Sequence, residues 1–88
     1  MIYVDQIKVW PTGIRCFRNG SCHLFADTLE ELHAMAVKLG LKRAWYQYRE
    51  PIPHYDLTIE RRIKAIELGV ASLTTKLCIK RWMTFNSK

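Results

Sequence analysis

The fold is decided by His23-Leu24-Phe25-Ala26-Asp27-Thr28-Leu29-Glu30-Glu31-Leu32-His33, a stretch in which a strand pattern changes into a helix pattern. The largely apolar stretch from Cys22 to Ala26 predicts a short strand. Thr28 and Glu31 have the spacing of a capping box, which places the first helix directly after Asp27. Gly40 stands where a glycine ends a helix. Between Thr28 and Gly40, the apolar residues fall on one face of the predicted helix: Leu29, Leu32, Ala36 and Leu39.

A second junction of the same kind follows at Pro53-His54-Tyr55-Asp56-Leu57-Thr58. The prolines predict that residues 49–57 form a loop, and Thr58 is the expected start of the second helix. Gly69 is expected to end this helix as Gly40 ends the first. Its buried stripe is predicted to consist of Ile59, Ile63, Ile66 and Val70.

The remaining segments predict further strands. Residues 1–9 and 70–73 have β-prone side chains, and residues 41–48 are expected to form an aromatic-rich strand. Residues 11–20 are expected to be a loop, whereas residues 77–85 fit a last strand or a helix. The order of elements predicts one small α/β domain, with a parallel or mixed sheet of about four strands and two main helices.

The composition limits the classes of protein to consider. At 88 residues the chain is long enough for a single domain, residues 1–88, with one core. Its apolar runs are shorter than the roughly 18–20 residues of a membrane span, and the N-terminal residues lack a signal-peptide pattern. Three cysteines are an odd number, which argues against a disulfide framework and favours a reducing compartment. We therefore expect a cytoplasmic protein without a membrane segment.

The charge favours anionic partners. The formal net charge is +6 and the isoelectric point is near 9.5. The C-terminal segment, residues 72–88, contains basic residues and no acidic one. Such a segment binds nucleic acid non-specifically or faces solvent. The expected partners are therefore a nucleotide or another anionic small molecule, an acidic protein surface, or nucleic acid.

Candidate ligand-binding residues gather at the two strand-to-helix junctions. In open α/β sheets, ligands bind where strands end and helices begin, and helix N-termini offer N–H groups to phosphate oxygens. Arg61 and Arg62 oppose the dipole of the second helix, which favours an anion nearby. Because a parallel sheet brings such junctions to one edge, we expect their polar groups, His33, His54, Asp27 and Asp56, to approach one another. The full candidate set is Asp5, His23, Asp27, His33, Gln47, His54, Tyr55, Asp56, Arg61 and Arg62.

Three interpretations of these residues stay open. In the first they hold a divalent metal, although the sequence has no local zinc signature such as H-x-x-x-H or C-x-x-C, so no metal ligand is assigned. In the second they act as general acid and base on a phosphorylated ligand. In the third they only cap helices and brace loops.

The aromatic residues Trp45, Tyr46 and Tyr48 also have two possible roles. They stack bases, as in single-strand binders, or they pack in the core and in a homo-oligomer interface. We expect the second, because the core of so small a domain stabilises it only weakly.

Several motifs resemble an uncharacterised domain family carried by bacteria and bacteriophages. They are Ile2-Tyr3-Val4-Asp5, the segment from His23 to Ala36, Leu39-Gly40-Leu41 with Arg43, Trp45 and Gln47, and Pro53-His54-Tyr55-Asp56-Leu57. The resemblance covers roughly residues 1–71 and leaves residues 72–88 without a counterpart. In some bacterial members a similar domain precedes an HD-type metal-dependent phosphohydrolase. The resemblance therefore implies a nucleotide-like ligand at the same His, Asp and Glu residues, but no activity.

On this basis we expect a protein that binds a nucleotide or phosphodiester through a His/Asp pocket at the strand ends. Sequestration, for instance of a host signalling nucleotide by a phage protein, is expected ahead of turnover, because 88 residues leave little room for a closed site. If the chain is an enzyme, a metal-dependent phosphoesterase is the expected activity. The same sequence also fits a protein-binding inhibitor of a host factor, or a non-specific nucleic-acid binder.

Overall fold

The computed structural model describes residues 1–8, 20–48 and 52–86. Its centre is a four-stranded mixed sheet made of β1 (Ile2–Val4), β2 (Ser21–Ala26), β3 (Tyr55–Thr58) and β4 (Ala71–Ser72), in the order β3-β2-β1-β4. The strand β2 is antiparallel to both β1 and β3, and β4 is parallel to β1. The predicted α/β class and the mixed sheet are confirmed.

Three helices cover the two faces of this sheet: α1 (Leu29–Lys38), α2 (Ile59–Glu67) and α3 (Thr75–Phe85). Side chains alternate along each strand, so neighbouring residues enter different cores. Leu24 and Leu57 pack with α1 and α2 on one face, whereas Tyr3 and Phe25 pack with α3 on the other. We call these the α1/α2 face and the α3 face. No helix in the described ranges has the length and apolar character needed to cross a membrane.

The start of α1 matches its prediction. Thr28 is the N-cap, and its hydroxyl accepts a hydrogen bond from the Glu31 backbone N–H (3.2 Å) and donates one to the Glu31 carboxylate (3.0 Å). Gly40 follows the helix with φ of +74°, a conformation that glycine adopts without the strain of a Cβ atom. The cap and the glycine each depend on residues close in the chain, which explains why the sequence alone predicts both ends of α1.

We expect Thr28→Ala to lower the free energy of unfolding by about 0.5–2 kcal/mol, because α1 loses the acceptor for its Glu31 N–H. Urea unfolding followed by circular dichroism measures this loss. Thr28→Ser keeps the hydroxyl and is the matched control, so a loss of equal size in both variants would contradict the capping role.

Two predictions between α1 and α2 are wrong. Residues 41–48 do not form a strand, since Arg43–Trp45 is a 3₁₀ turn and Gln47 makes only an isolated bridge to His54. The strand was predicted from the aromatic side chains in this segment, which are common in strands. Trp45 is exposed rather than buried, so these side chains do not mark a strand here. Conversely, β3 occupies residues that were expected to be a loop. Its prolines come before the strand, and its side chains alternate between buried and half-buried.

The burial of α2 also differs from its prediction. Ile63 and Ile66 are 53% and 41% exposed, and Ala65 is the buried residue of the helix. The helix packs against the sheet through the side that carries the small Ala65 side chain. The side that carries Ile63 and Ile66 faces away from the core.

Elsewhere, residues 75–85 form α3 rather than a strand, with Thr74 as its N-cap. The strand β1 is shorter than the predicted residues 1–9. The loop expected at residues 11–20 lies almost wholly outside the described residues.

Candidate functional site

Two histidines and an aspartate meet on the α3 face of the sheet. His23 of β2 pairs in register with Asp56 of β3, so their side chains point to the same side. His54 comes just before β3, and its ring centroid lies 4.8 Å from that of His23. We call His23, His54 and Asp56 the His–Asp cluster.

The three side chains direct one atom each toward a common point. Asp56 Oδ1 lies 3.7 Å from His23 Nε2 and 3.6 Å from His54 Nε2. All three atoms lie within 4.8 Å of one another. Ligand atoms about 2.0–2.1 Å from a tetrahedral zinc ion are about 3.3–3.4 Å apart, which is close to the two histidine–aspartate separations. The widest separation in the set, at most 4.8 Å, would have to shorten by as much as about 1.4 Å for all three atoms to bind one ion.

The other polar atom of each cluster residue is held by a hydrogen bond. His23 Nδ1 bonds to the Asp5 carboxylate (2.7 Å), and His54 Nδ1–H donates to the Ile52 carbonyl (2.7 Å). The Gln47 amide donates to Asp56 Oδ2 (2.6 Å). A carbonyl only accepts, so the His54 proton resides on Nδ1 and its Nε2 lone pair faces the cluster. Outer hydrogen bonds of this kind orient the ligands of protein metal sites.

Asp5 is the buried support of the cluster. Besides the His23 ring, its carboxylate accepts hydrogen bonds from the His23 backbone N–H (2.6 Å) and the Thr75 hydroxyl (2.7 Å). Burial by itself raises the pKa of Asp5, but these hydrogen bonds outweigh it and hold the pKa below its usual value. Asp5 is therefore a carboxylate that joins β1, β2 and the start of α3.

The electrostatics of the cluster suit a transition metal. Burial lowers the pKa of His54, which favours the neutral imidazole that metals bind. His23 and Asp56 are partly exposed, so an ion can reach them from solvent. Two imidazoles and one carboxylate match zinc and its first-row neighbours better than magnesium or calcium, which prefer oxygen ligands. Three protein ligands also leave a coordination position open.

The sequence model of a family described as "Protein of unknown function (DUF4031)" matches residues 2–84. The chain belongs to this family. The match spans the whole His–Asp cluster and continues through most of α3, so the expected limit of the resemblance near residue 71 is wrong. Neither the curated proteins nor the solved structures contain a match.

His33 of this DUF4031 domain is not brought into the cluster. It lies on the α1/α2 side, where its Nδ1 is 2.8 Å from the Tyr55 hydroxyl in a hydrogen bond and its ring packs on Tyr46. Burial lowers the pKa of His33, and the nearby Arg43 adds to this effect. The reason for the separation is the alternation along β3, which directs Tyr55 to the face opposite Asp56.

Asp27 makes an ion-pair network of its own. Arg81 binds both of its carboxylate oxygens (3.0 and 3.1 Å), and the Met1 amino group lies 3.1 Å away. Burial raises the pKa of Asp27, but these cations lower it overall. The expected meeting of both junctions at one edge does not occur, because β2 and β3 are antiparallel. Thr58 at the end of β3 pairs with Ser21 at the start of β2.

The two arginines are placed apart from the cluster as well. Arg62 donates to the Asp5 backbone carbonyl (3.0 Å) and to the Ser72 hydroxyl (2.8 Å), so it braces β1 and β4. Arg61 donates to the Leu39 carbonyl (3.2 Å) and lines a cleft beside α2.

Of the ten predicted site residues, the DUF4031 fold therefore gathers Asp5, His23, Gln47, His54 and Asp56. The contributions of Thr75 and of the Ile52 carbonyl were missed. The first depends on a helix that the pattern left ambiguous, and the second is a backbone group without a sequence signal.

The cysteines do not contribute to the cluster within the described residues. Cys22 points to the α1/α2 face, opposite its neighbour His23, and Cys78 lies in the core under α3. Both are free thiols, and burial raises the pKa of each to about 12. Burial therefore disfavours the thiolate form of both side chains, which is the form that binds metals.

Proposed function

We propose that the chain binds a divalent transition-metal ion at the His–Asp cluster and uses the ion to hold the phosphate group of a nucleotide or phosphodiester. One observation carries the proposal. Each of the three converging atoms belongs to a side chain whose other polar atom is already hydrogen-bonded, to Asp5, to Ile52 or to Gln47. The cluster is thus fixed in orientation before any ion arrives.

A purely structural role explains this arrangement less well. With Nδ1 of both imidazoles bonded to acceptors, His23 Nε2, His54 Nε2 and Asp56 Oδ1 are three acceptors that face one another. Acceptors at such distances repel unless a proton or a cation lies among them. A divalent ion removes the repulsion and satisfies all three atoms at once.

The phosphate-bearing ligand follows from charge and coordination. A metal with three protein ligands accepts a further oxygen atom, and phosphate oxygens bind such ions readily. The net charge of +6 attracts an anionic ligand to the surface. We propose sequestration in the cytoplasm, as by a phage protein that removes a host signalling nucleotide. Metal-dependent hydrolysis of the same ligand is the catalytic variant of this proposal.

Thermal melting of metal-stripped protein tests the proposal. We expect zinc to raise the melting temperature, and a nucleotide to raise it further only when zinc is present. A ligand at a hundred times its Kd adds about 2.7 kcal/mol of stability. Magnesium in place of zinc is the control and should have a much smaller effect. Melting that is the same with and without zinc would contradict the proposal, and release of inorganic phosphate would indicate turnover.

The exposed isoleucines of α2 favour a second candidate function. Ile63 and Ile66 present an apolar surface that suits a second copy of the chain or a host protein that the chain inhibits. This function needs no metal, so metal-independent assembly separates it from the first proposal.

A further inference from the structure

Two cationic side chains lie over an exposed tryptophan at the end of the 3₁₀ turn. Trp45 is 44% exposed. Lys42 Nζ and the Arg61 guanidinium carbon each lie 5.6 Å from the centroid of its ring. Both cations lie over the ring, so a base stacks on Trp45 when one of them moves aside. An aromatic ring next to cations that can contact phosphate is the combination found in single-strand binders.

Arg61 connects this tryptophan to a cleft beside the start of α2. The cleft has a volume of about 690 Å³, and its lining includes Thr58, Arg61 and Lys64. Among the described residues that line this cleft, Glu60 is acidic. Arg61 and Lys64 are one helical turn apart and so lie on the same side of α2. The cleft therefore has a cationic wall that begins at Trp45.

The cleft and the His–Asp cluster lie on the two sides of β3, which is an edge strand of the sheet. Thr58 ends β3 and lines the cleft on the side of α2, whereas Asp56, two residues earlier, faces the α3 side with the cluster. Their backbone positions are separated by about 7 Å, at about 3.4 Å per residue. A ligand longer than a single nucleotide could therefore contact the cluster and the cleft at the same time.

We infer that the phosphodiester ligand is a single-stranded nucleic acid. One base stacks on Trp45, and the backbone passes Lys42, Arg61 and Lys64 on its way to the metal at the cluster. A single strand fits better than a duplex, because stacking on a side chain requires a base that is not already stacked in a helix. The inference rests on the proposed function for the choice of a phosphodiester.

The test is fluorescence anisotropy of a labelled oligothymidine, measured with zinc-loaded protein and again with EDTA. We expect Trp45→Ala to weaken binding about tenfold, since stacking of one base contributes about that much. The double variant Lys42→Glu/Lys64→Glu should abolish binding. Its matched control is Lys76→Glu/Lys80→Glu on α3, which changes the net charge equally and should retain most of the affinity. Circular dichroism checks that all variants are folded.

The outcomes separate this inference from the proposed function. Equal losses in both double variants, or unchanged binding by Trp45→Ala, would overturn the inference while zinc binding could still be intact. Binding in EDTA that depends on Trp45 would support the nucleic-acid surface even if the cluster bound no metal. A loss confined to the α3 variant would assign binding to the basic C-terminal segment and also overturn the inference.

Discussion

Asp56→Asn is expected to weaken zinc binding by more than about a hundredfold, since even changes to outer hydrogen-bond partners of a metal site cost about 10- to 100-fold. The amide keeps the size of the carboxylate but removes the charge that faces His23 and His54. His54→Ala should have the same effect. Isothermal titration calorimetry of the metal-stripped protein gives both the affinity and the stoichiometry, which we expect to be one ion per chain.

The matched control for this prediction is His33→Ala. It removes a histidine from the α1/α2 side, so zinc affinity should stay within about threefold of wild type, well below the effect expected for a bound ligand. Gln47→Leu should weaken zinc binding by about 10- to 100-fold, which is more than His33→Ala and less than Asp56→Asn. The reason is that Gln47 orients Asp56 without binding the metal itself. If His33→Ala and His54→Ala weakened zinc binding equally, the ion would be bound elsewhere.

Asp5→Ala is expected to have the largest effect on stability among the polar residues discussed. It leaves the His23 backbone N–H, the His23 ring and the Thr75 hydroxyl without their acceptor. A buried donor left unpaired costs about 1–3 kcal/mol, so we expect a loss of about 3 kcal/mol in urea unfolding of the metal-free protein. Asp56→Ala is the matched control, because Asp56 is partly exposed and its loss should cost less than about 1 kcal/mol.

The pH dependence provides an independent check on Asp5. Its pKa is lower in the folded chain than its ordinary value of 3.8. Its contribution to stability is therefore complete above that ordinary value and is lost as the pH falls through the folded-state pKa. The stability difference between wild type and Asp5→Asn should accordingly shrink in acid. A difference that stayed constant down to acid unfolding would show that Asp5 is not ionised in the fold.

The features predicted correctly from the sequence are those that depend on neighbouring residues. Thr28, Glu31 and Gly40 define α1 through local hydrogen bonds and a local backbone conformation. The pairing of His23 with Asp56 instead depends on an antiparallel register between distant segments, which no local pattern encodes. Asp5 could be named as a candidate from its residue type and position. Its role as the support of His23 could not be predicted, because that contact also depends on distant segments coming together.

The errors have the same physical origin. The sequence pattern groups the polar residues of the second junction together, although alternation along β3 directs Tyr55 and Asp56 to opposite sides of the sheet. The isoleucine stripe of α2 has helical spacing, but Ala65 is the residue that meets the core. Periodicity shows that a face is apolar, and only tertiary contacts decide whether that face is covered.

The hydrogen bond from Thr75 to Asp5 has a consequence for how this unit can be shortened or fused. Thr75 opens α3, and the same helix covers Tyr3 and Phe25. A truncation before residue 75 would remove one partner of Asp5 and expose the core beneath the cluster. Grafting the site into another protein would therefore require α3 together with the sheet. A fusion on the C-terminal side would preserve the site only if its joint lay beyond this helix.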